Sequence, residues 1–120
     1  MRVFHVTSPE AARAILQDGF SPESGDAGLG IYFYDRFEDA VASGRLSGRF
    51  IVKHGKSYRH FAVIEAVVPD DRLERLEGSM FWVDVQAGVF PWARRMVVPK
   101  PSRHLAPGDE LWERRRHALR

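Results

Sequence analysis

The longest apolar run in the chain, Phe61-Ala62-Val63-Ile64-Glu65-Ala66-Val67-Val68, is interrupted by one glutamate and stopped by Pro69. Its near-continuous apolar character predicts a strand buried on both faces, not one with a wet side. A chain of 120 residues, 44% of them hydrophobic, can enclose such a strand in one domain spanning 1–120. A domain of that size needs neither disulfide nor metal to fold.

Other elements are read around this strand. Residues 2–7 alternate, with Val3, His5 and Thr7 on one face and Phe4 and Val6 on the other, which predicts a strand. Ser8-Pro9-Glu10 opens a helix: a capping hydroxyl, a proline suited to the first position and an acid at the positive end. Ala12, Ile15 and Leu16 form its inner face, Gly19 is expected as a left-handed cap, and Phe20 folds back onto it. After a loop at 21–28 comes a strand at 31–34. Asp35 and Glu38 then have the spacing of a capping box for a helix at 36–43, ended by Gly44. Strands are expected at 50–52, 81–85 and 96–98, a turn or short helix at 70–76, and a basic terminal helix or tail at 109–120. The order β-α-β-α and then mostly β gives an α+β domain.

Cysteine is absent, which excludes disulfides, thiolate zinc sites and a cysteine nucleophile, and fits a reducing cytoplasm. No segment approaches the ~20 apolar residues of a membrane helix, and residues 1–5 read as a first strand, not a signal peptide. His54, His60, His104 and His117 lack metal-ligand spacing, so no metal site is expected. No nucleophile elbow is present. The tryptophans Trp82, Trp92 and Trp112 are expected as core or interface anchors. The net charge is +2, yet Arg94, Arg95, Lys100, Arg103 and Arg114-Arg115-Arg116 concentrate cations late in the chain. Such an end suits nucleic acid or an acidic partner, or is simply a solvated helix.

His5, Tyr32 and the glycines Gly28 and Gly30 each have ordinary structural uses: a satisfied strand histidine, a strand tyrosine, a turn. Their order is more specific. The stretch F-H-V-T-S, a helix ending in D-G-F, then G-L-G-I-Y-F and D-R-F-E-D-A-V-A, resembles the ADP-ribosyltransferase superfamily over the first 45 residues or so. Strand 61–68 and the segment Arg95-Met96-Val97-Val98-Pro99 are similar to that family's later strands, more loosely.

The resemblance implies a compact fold of two packed, mostly antiparallel sheets with short helices, and NAD as co-substrate. It implies that His5 hydrogen-bonds a ribose hydroxyl of NAD and that Val6 offers its backbone to the nicotinamide amide. Tyr32 would stack on the ring, a cation–π contact of ~0.5–2 kcal/mol. Thr7, Gly30 and Ser43 would complete the NAD contacts. At the seat where the family carries a glutamate, this chain aligns Arg95, or Val89 in a second alignment. Arg95 is therefore carried as the third catalytic position, and single transfer, not polymer synthesis, is the expected outcome. The implied activity is mono-ADP-ribosyl transfer from NAD to a macromolecular acceptor, nucleic acid or protein. A second branch, the NAD-dependent RNA 2'-phosphotransferases, also lacks the glutamate. Its late segment is similar to 81–89 and 97–99 here, with Arg45, Arg49, Lys53, His54 and Arg59 as candidates for RNA phosphate. From a different class, an inactive module that binds NAD or ADP-ribose, or an interaction domain, remains an alternative reading.

Overall fold

The long apolar run lands where its composition requires. In the computed structural model, which describes residues 1–21, 30–84 and 89–100, it forms strand β5 (Ala62–Val67) inside a six-stranded sheet. Ala62, Ile64 and Ala66 enter one buried cluster, and Phe61 and Val63 enter another on the opposite face. The interrupting residue, Glu65, is held by the guanidiniums of Arg2 and Arg95.

The remaining elements, in chain order, are β1 (Arg2–Thr7), α1 (Pro9–Asp18), β2 (Gly30–Tyr34), α2 (Phe37–Ser47), β3 (Arg49–Lys53), β4 (Lys56–His60), β6 (Glu74–Glu77), β7 (Met80–Asp84) and β8 (Ala93–Val97), with a 3-10 turn at Asp70–Arg72. The large sheet runs β6-β7-β2-β1-β5-β8, and every pair in it is antiparallel. A second, small sheet is the hairpin β3-β4. Among the described residues the domain is thus α+β, with an antiparallel sheet of six strands, a two-stranded sheet and two helices. The larger cluster holds Val3, Ile15, Phe20, Ile31 and Phe33, and the smaller lies under α2 with Phe4, Ala40, Val41 and Phe61.

The six strands divide at one seam. β1 pairs with β5 along its whole length, from Arg2 opposite Val67 to Thr7 opposite Ala62. β2 pairs with β7 equally fully. Between β1 and β2 the ladder register is a single position, Phe4 opposite Tyr34. The wedge between the two halves is packed by the rings of His5, Phe20 and Phe33, at 5.4–5.7 Å between centroids.

Several local expectations are corrected. Asp35 does not cap α2: its backbone N–H donates to the Ser79 carbonyl at 2.9 Å, which holds it beside β7, and Arg36 takes the N-cap position without a side-chain bond. Gly44 does not end the helix. It sits in the interior of α2 because the Phe61 ring occupies the space a β-carbon would need. Gly19 has positive φ (89°) but an extended ψ (170°), so the helix ends without the left-handed cap; Phe20 then pairs with Phe90 through two backbone bonds of 2.9 and 2.7 Å. The segment 56–60 is a strand, closed onto β3 by a two-residue turn in which His54 and Gly55 both have positive φ, the geometry that matches hairpin twist. Within 70–76, the 3-10 turn is followed by the edge strand β6. The expected terminal helix at 109–120, with Arg114, Arg115, Arg116 and Trp112, lies outside the described residues, as do Gly28, Arg103, His104 and His117. Among the described residues, no helix is long and apolar enough to cross a membrane.

Candidate functional site

Strand β1 ends at Thr7, and the Ser8 hydroxyl accepts from the Ala11 N–H at 3.1 Å to start α1. At that junction the chain opens into a cleft of about 580 Å³. Val6, Thr7 and Ser8 form its floor, Ala11, Ile15 and Asp18 of α1 one wall, and Gly48, Arg49, His60 and Phe61 the other. The size lies within the ordinary range for small-molecule sites.

Its polar equipment is mixed. Arg49 and His60 stand opposite each other across the β3-β4 hairpin. Arg49 pairs with Glu10 of α1 at 3.5 Å, so the cleft is bridged on one side by an ion pair. A backbone hydrogen bond at its own position holds the Glu10 carboxyl below the usual range; burial opposes this, and Arg49, Arg13 and His60 add to it. Nδ1 of His60 is buried and has no hydrogen-bond partner among the described residues. The neighbouring Arg59 is occupied structurally. Its guanidinium lies 3.6 Å from the centre of the Phe50 ring and donates to the Gly48 carbonyl at 2.5 Å, and burial pulls its pKa below the usual arginine value. Hydroxyls, a guanidinium, an imidazole and the start of a helix together suit an anionic, hydroxyl-rich ligand.

The residues singled out from the sequence are distributed around this cleft and beyond it. Val6 and Thr7 line it. His5 is 7% exposed; its Nδ1 lies 2.9 Å from the Tyr32 carbonyl, and its ring meets Phe20 and Phe33. With Nδ1 as donor, the imidazole supplies a bond across the seam where the main-chain ladder has stopped. Tyr32 alternates with the fully buried Ile31 and Phe33, so its ring, 42% exposed, points away from His5 on the other face of the sheet. Gly30 lies beneath the Trp82 indole, which fills the place of a side chain there. Ser43 lines a depression on one flank of α2, with Tyr34, Asp39 and Met80. Arg95 lies on the edge strand β8 and reaches Glu65, which its hydrogen bond and that of Arg2 hold well ionised; this trio borders a third cavity with Phe4 and Phe37.

Asp18 and His60 were not among the sequence candidates for the NAD site. Asp18 reads as the polar end of an amphipathic helix, and His60 as the residue before a strand; only the approach of α1 to the β3-β4 hairpin brings them together. Among the described residues, no group of three or more His, Asp and Glu could hold a metal ion. The chain matches no known family model and no curated protein.

Proposed function

We propose that the chain is an NAD-using mono-ADP-ribosyltransferase that receives the dinucleotide in the cleft at the end of β1. The observation that supports this reading is the cleft itself. It opens directly after the histidine-bearing strand, and Val6 and Thr7, two of the residues the family resemblance assigns to NAD, line it. Arg49 and the hydroxyls of Thr7 and Ser8 are suited to the pyrophosphate and ribose. In the reaction, the bond from ribose to nicotinamide breaks, nicotinamide leaves with the electron pair, and a nucleophile of the acceptor bonds to the ribose carbon. The acceptor's proton passes to a base, for which Asp18 and His60 are candidates among the described residues lining the cleft. In this reading His5 is a positioning residue: it fixes the strand end that presents Val6 and Thr7.

Calorimetric titration of NAD, paired with an assay for released nicotinamide, tests the proposal. Saturable binding is expected, lost in Arg49→Ala and His60→Ala and retained in Tyr32→Ala. Loss in Tyr32→Ala with retention in the cleft variants would move NAD to the other face of the sheet. The absence of both binding at millimolar NAD and nicotinamide release in the presence of protein and nucleic-acid acceptors would overturn the reading. One observation favours an RNA 2'-phosphotransferase variant of it: the basic hairpin that carries Arg49 and His60 forms a wall of the cleft. That variant predicts NAD-dependent loss of a 2'-phosphate from RNA.

A further inference from the structure

On the face of the sheet opposite His5, the half made of β6, β7 and β2 carries no helix over its outer strands among the described residues. Tyr32 on β2 stands directly opposite Trp82 on β7, and Tyr34 stands opposite Met80. These four side chains share one face, because Phe81, Val83, Ile31 and Phe33 turn into the core on the other. Tyr34 and Met80 continue into a depression of about 670 Å³ beside α2. The rim is acidic. Glu74 is opposite Trp82, Asp84 is opposite Gly30, Glu77 is opposite Met80, and all three are exposed. Asp39 lies within the depression, where its carboxylate accepts from the Ser79 hydroxyl.

The cations of this region are turned elsewhere. Arg75 lies over the Phe81 ring and donates to the Gly78 carbonyl. Arg2, Arg36 and Arg95 border the cavity on the other flank of α2. Among the described residues, no lysine or arginine lines the depression beside α2, although the chain as a whole is basic.

We infer that this face is a docking surface for a cationic polypeptide segment, one rich in arginine or lysine. The exposed Tyr32 ring, flanked by the partly buried Trp82 and Tyr34 and bordered by carboxylates, suits a guanidinium or ammonium group, which gains a ring face and an ion pair together. The same charge argues against the other occupants. Nucleic acid would bring phosphate against four carboxylates, and a second copy of the chain would set the same acids against each other. An apolar partner would desolvate these carboxylates without offering charge or hydrogen bonds in return. The inference is independent of the NAD reading, since none of these residues lines the cleft.

The test is fluorescence anisotropy of a labelled oligo-arginine peptide against the full chain, with a labelled single-stranded oligonucleotide in parallel and sedimentation at the same concentrations. Saturable, salt-sensitive peptide binding is expected. Tyr32→Ser should weaken it by about fivefold, the loss of one partly desolvated cation–π contact. The double reversal Glu74→Lys with Glu77→Lys should weaken it further. All three positions are exposed, and circular dichroism checks that the variants fold. Absence of peptide binding overturns the inference, as does binding that neither variant changes. It is equally overturned if Tyr32→Ser abolishes oligonucleotide binding, or if the charge reversals alter self-association.

Discussion

Gly44 is a point where two well-known effects oppose each other, and the structure decides the sign. In the interior of an exposed helix, replacing glycine by alanine stabilises by about 1 kcal/mol. Here the position faces inward. A β-carbon on Gly44 would come 2.6 Å from Cγ of Phe61, and closer still to Cδ2 and Cε2 of the same ring. Real side chains do not approach so closely, so either the ring or α2 must move. Phe61 is 4% exposed and packed with Phe4, Ala40, Val41 and Val63, which leaves it little room to yield. Overpacking of this kind costs ~1–3 kcal/mol, and overlap with three ring atoms belongs at the upper end. Gly44→Ala should therefore destabilise the domain by about 2 kcal/mol net. Urea unfolding monitored by circular dichroism measures it. The double variant Gly44→Ala with Phe61→Leu supplies the control. Removing part of the ring relieves the clash, so the double variant should lose less than the sum of the two single changes. Stabilisation by Gly44→Ala, or strict additivity in the double variant, would refute the reasoning. Since Phe61 also lines the cleft, the same variant should weaken any ligand bound there.

Ser8→Ala removes the hydroxyl that caps α1 through Ala11 and should cost about 1 kcal/mol in urea unfolding, while Ser8→Asp should recover most of it; equal stability of all three would show the cap to be idle. His5→Ala deletes the bond to the Tyr32 carbonyl and opens a hole between Phe20 and Phe33, so a loss of roughly 3 kcal/mol is expected. A variant as stable as the parent would remove His5 from the packing role assigned to it. Glu65 titrates below the usual glutamate value of 4.5, because Arg95 and Arg2 hydrogen-bond its charged form. A depressed folded pKa contributes stability above the unfolded pKa, and that contribution is lost as pH falls through the folded value. The stability gap between parent and Glu65→Gln should therefore be constant near neutrality and shrink in the acid range; a gap that widens in acid would contradict the pairing.

The strands that carry strong apolar signals were legible. Residues 2–7 are β1 as the alternation indicates, Ser8 caps α1, and the run around Ile64 is buried on both faces. What escaped was polar. β4 contains Lys56, Ser57, Arg59 and His60, and β6 is Glu-Arg-Leu-Glu, so neither shows an apolar stripe. They are strands because a neighbour offers a ladder: β3 through the tight His54-Gly55 turn, and β7 for β6. A histidine followed by glycine between two candidate strands was the available signal for the first. Asp35 and Gly44 were misread for a related reason. Capping-box spacing and a glycine are local cues, whereas the deciding partners, the Ser79 carbonyl and the Phe61 ring, are distant in sequence. The cleft shows the same division. Val6 and Thr7 follow from the strand end, but Asp18, Arg49 and His60 come from three separate elements whose convergence no spacing reveals.

The seam between the half-sheets bears on how any loss of activity must be interpreted. β1 belongs by its ladder to β5 and β8, and β2 to β7 and β6. Past Phe4 and Tyr34, among the described residues the halves meet through the His5 bond to the Tyr32 carbonyl and the Phe20–Phe33 ring contact, and Phe20 is in turn tied to Phe90 ahead of β8. Phe20 immediately follows Gly19, and Gly19 lies against the cleft; Val6 and Thr7 immediately follow His5 and line it. The groups that close the seam and the groups that shape the cleft are therefore chain neighbours. A His5 variant that loosened the seam would displace the cleft floor without any contact between imidazole and ligand. Inactivity in such a variant is consequently no sign of a catalytic histidine unless the fold is intact. His60 has no part in the seam, and it lines the cleft. It is the histidine whose replacement separates chemistry at the site from integrity of the sheet.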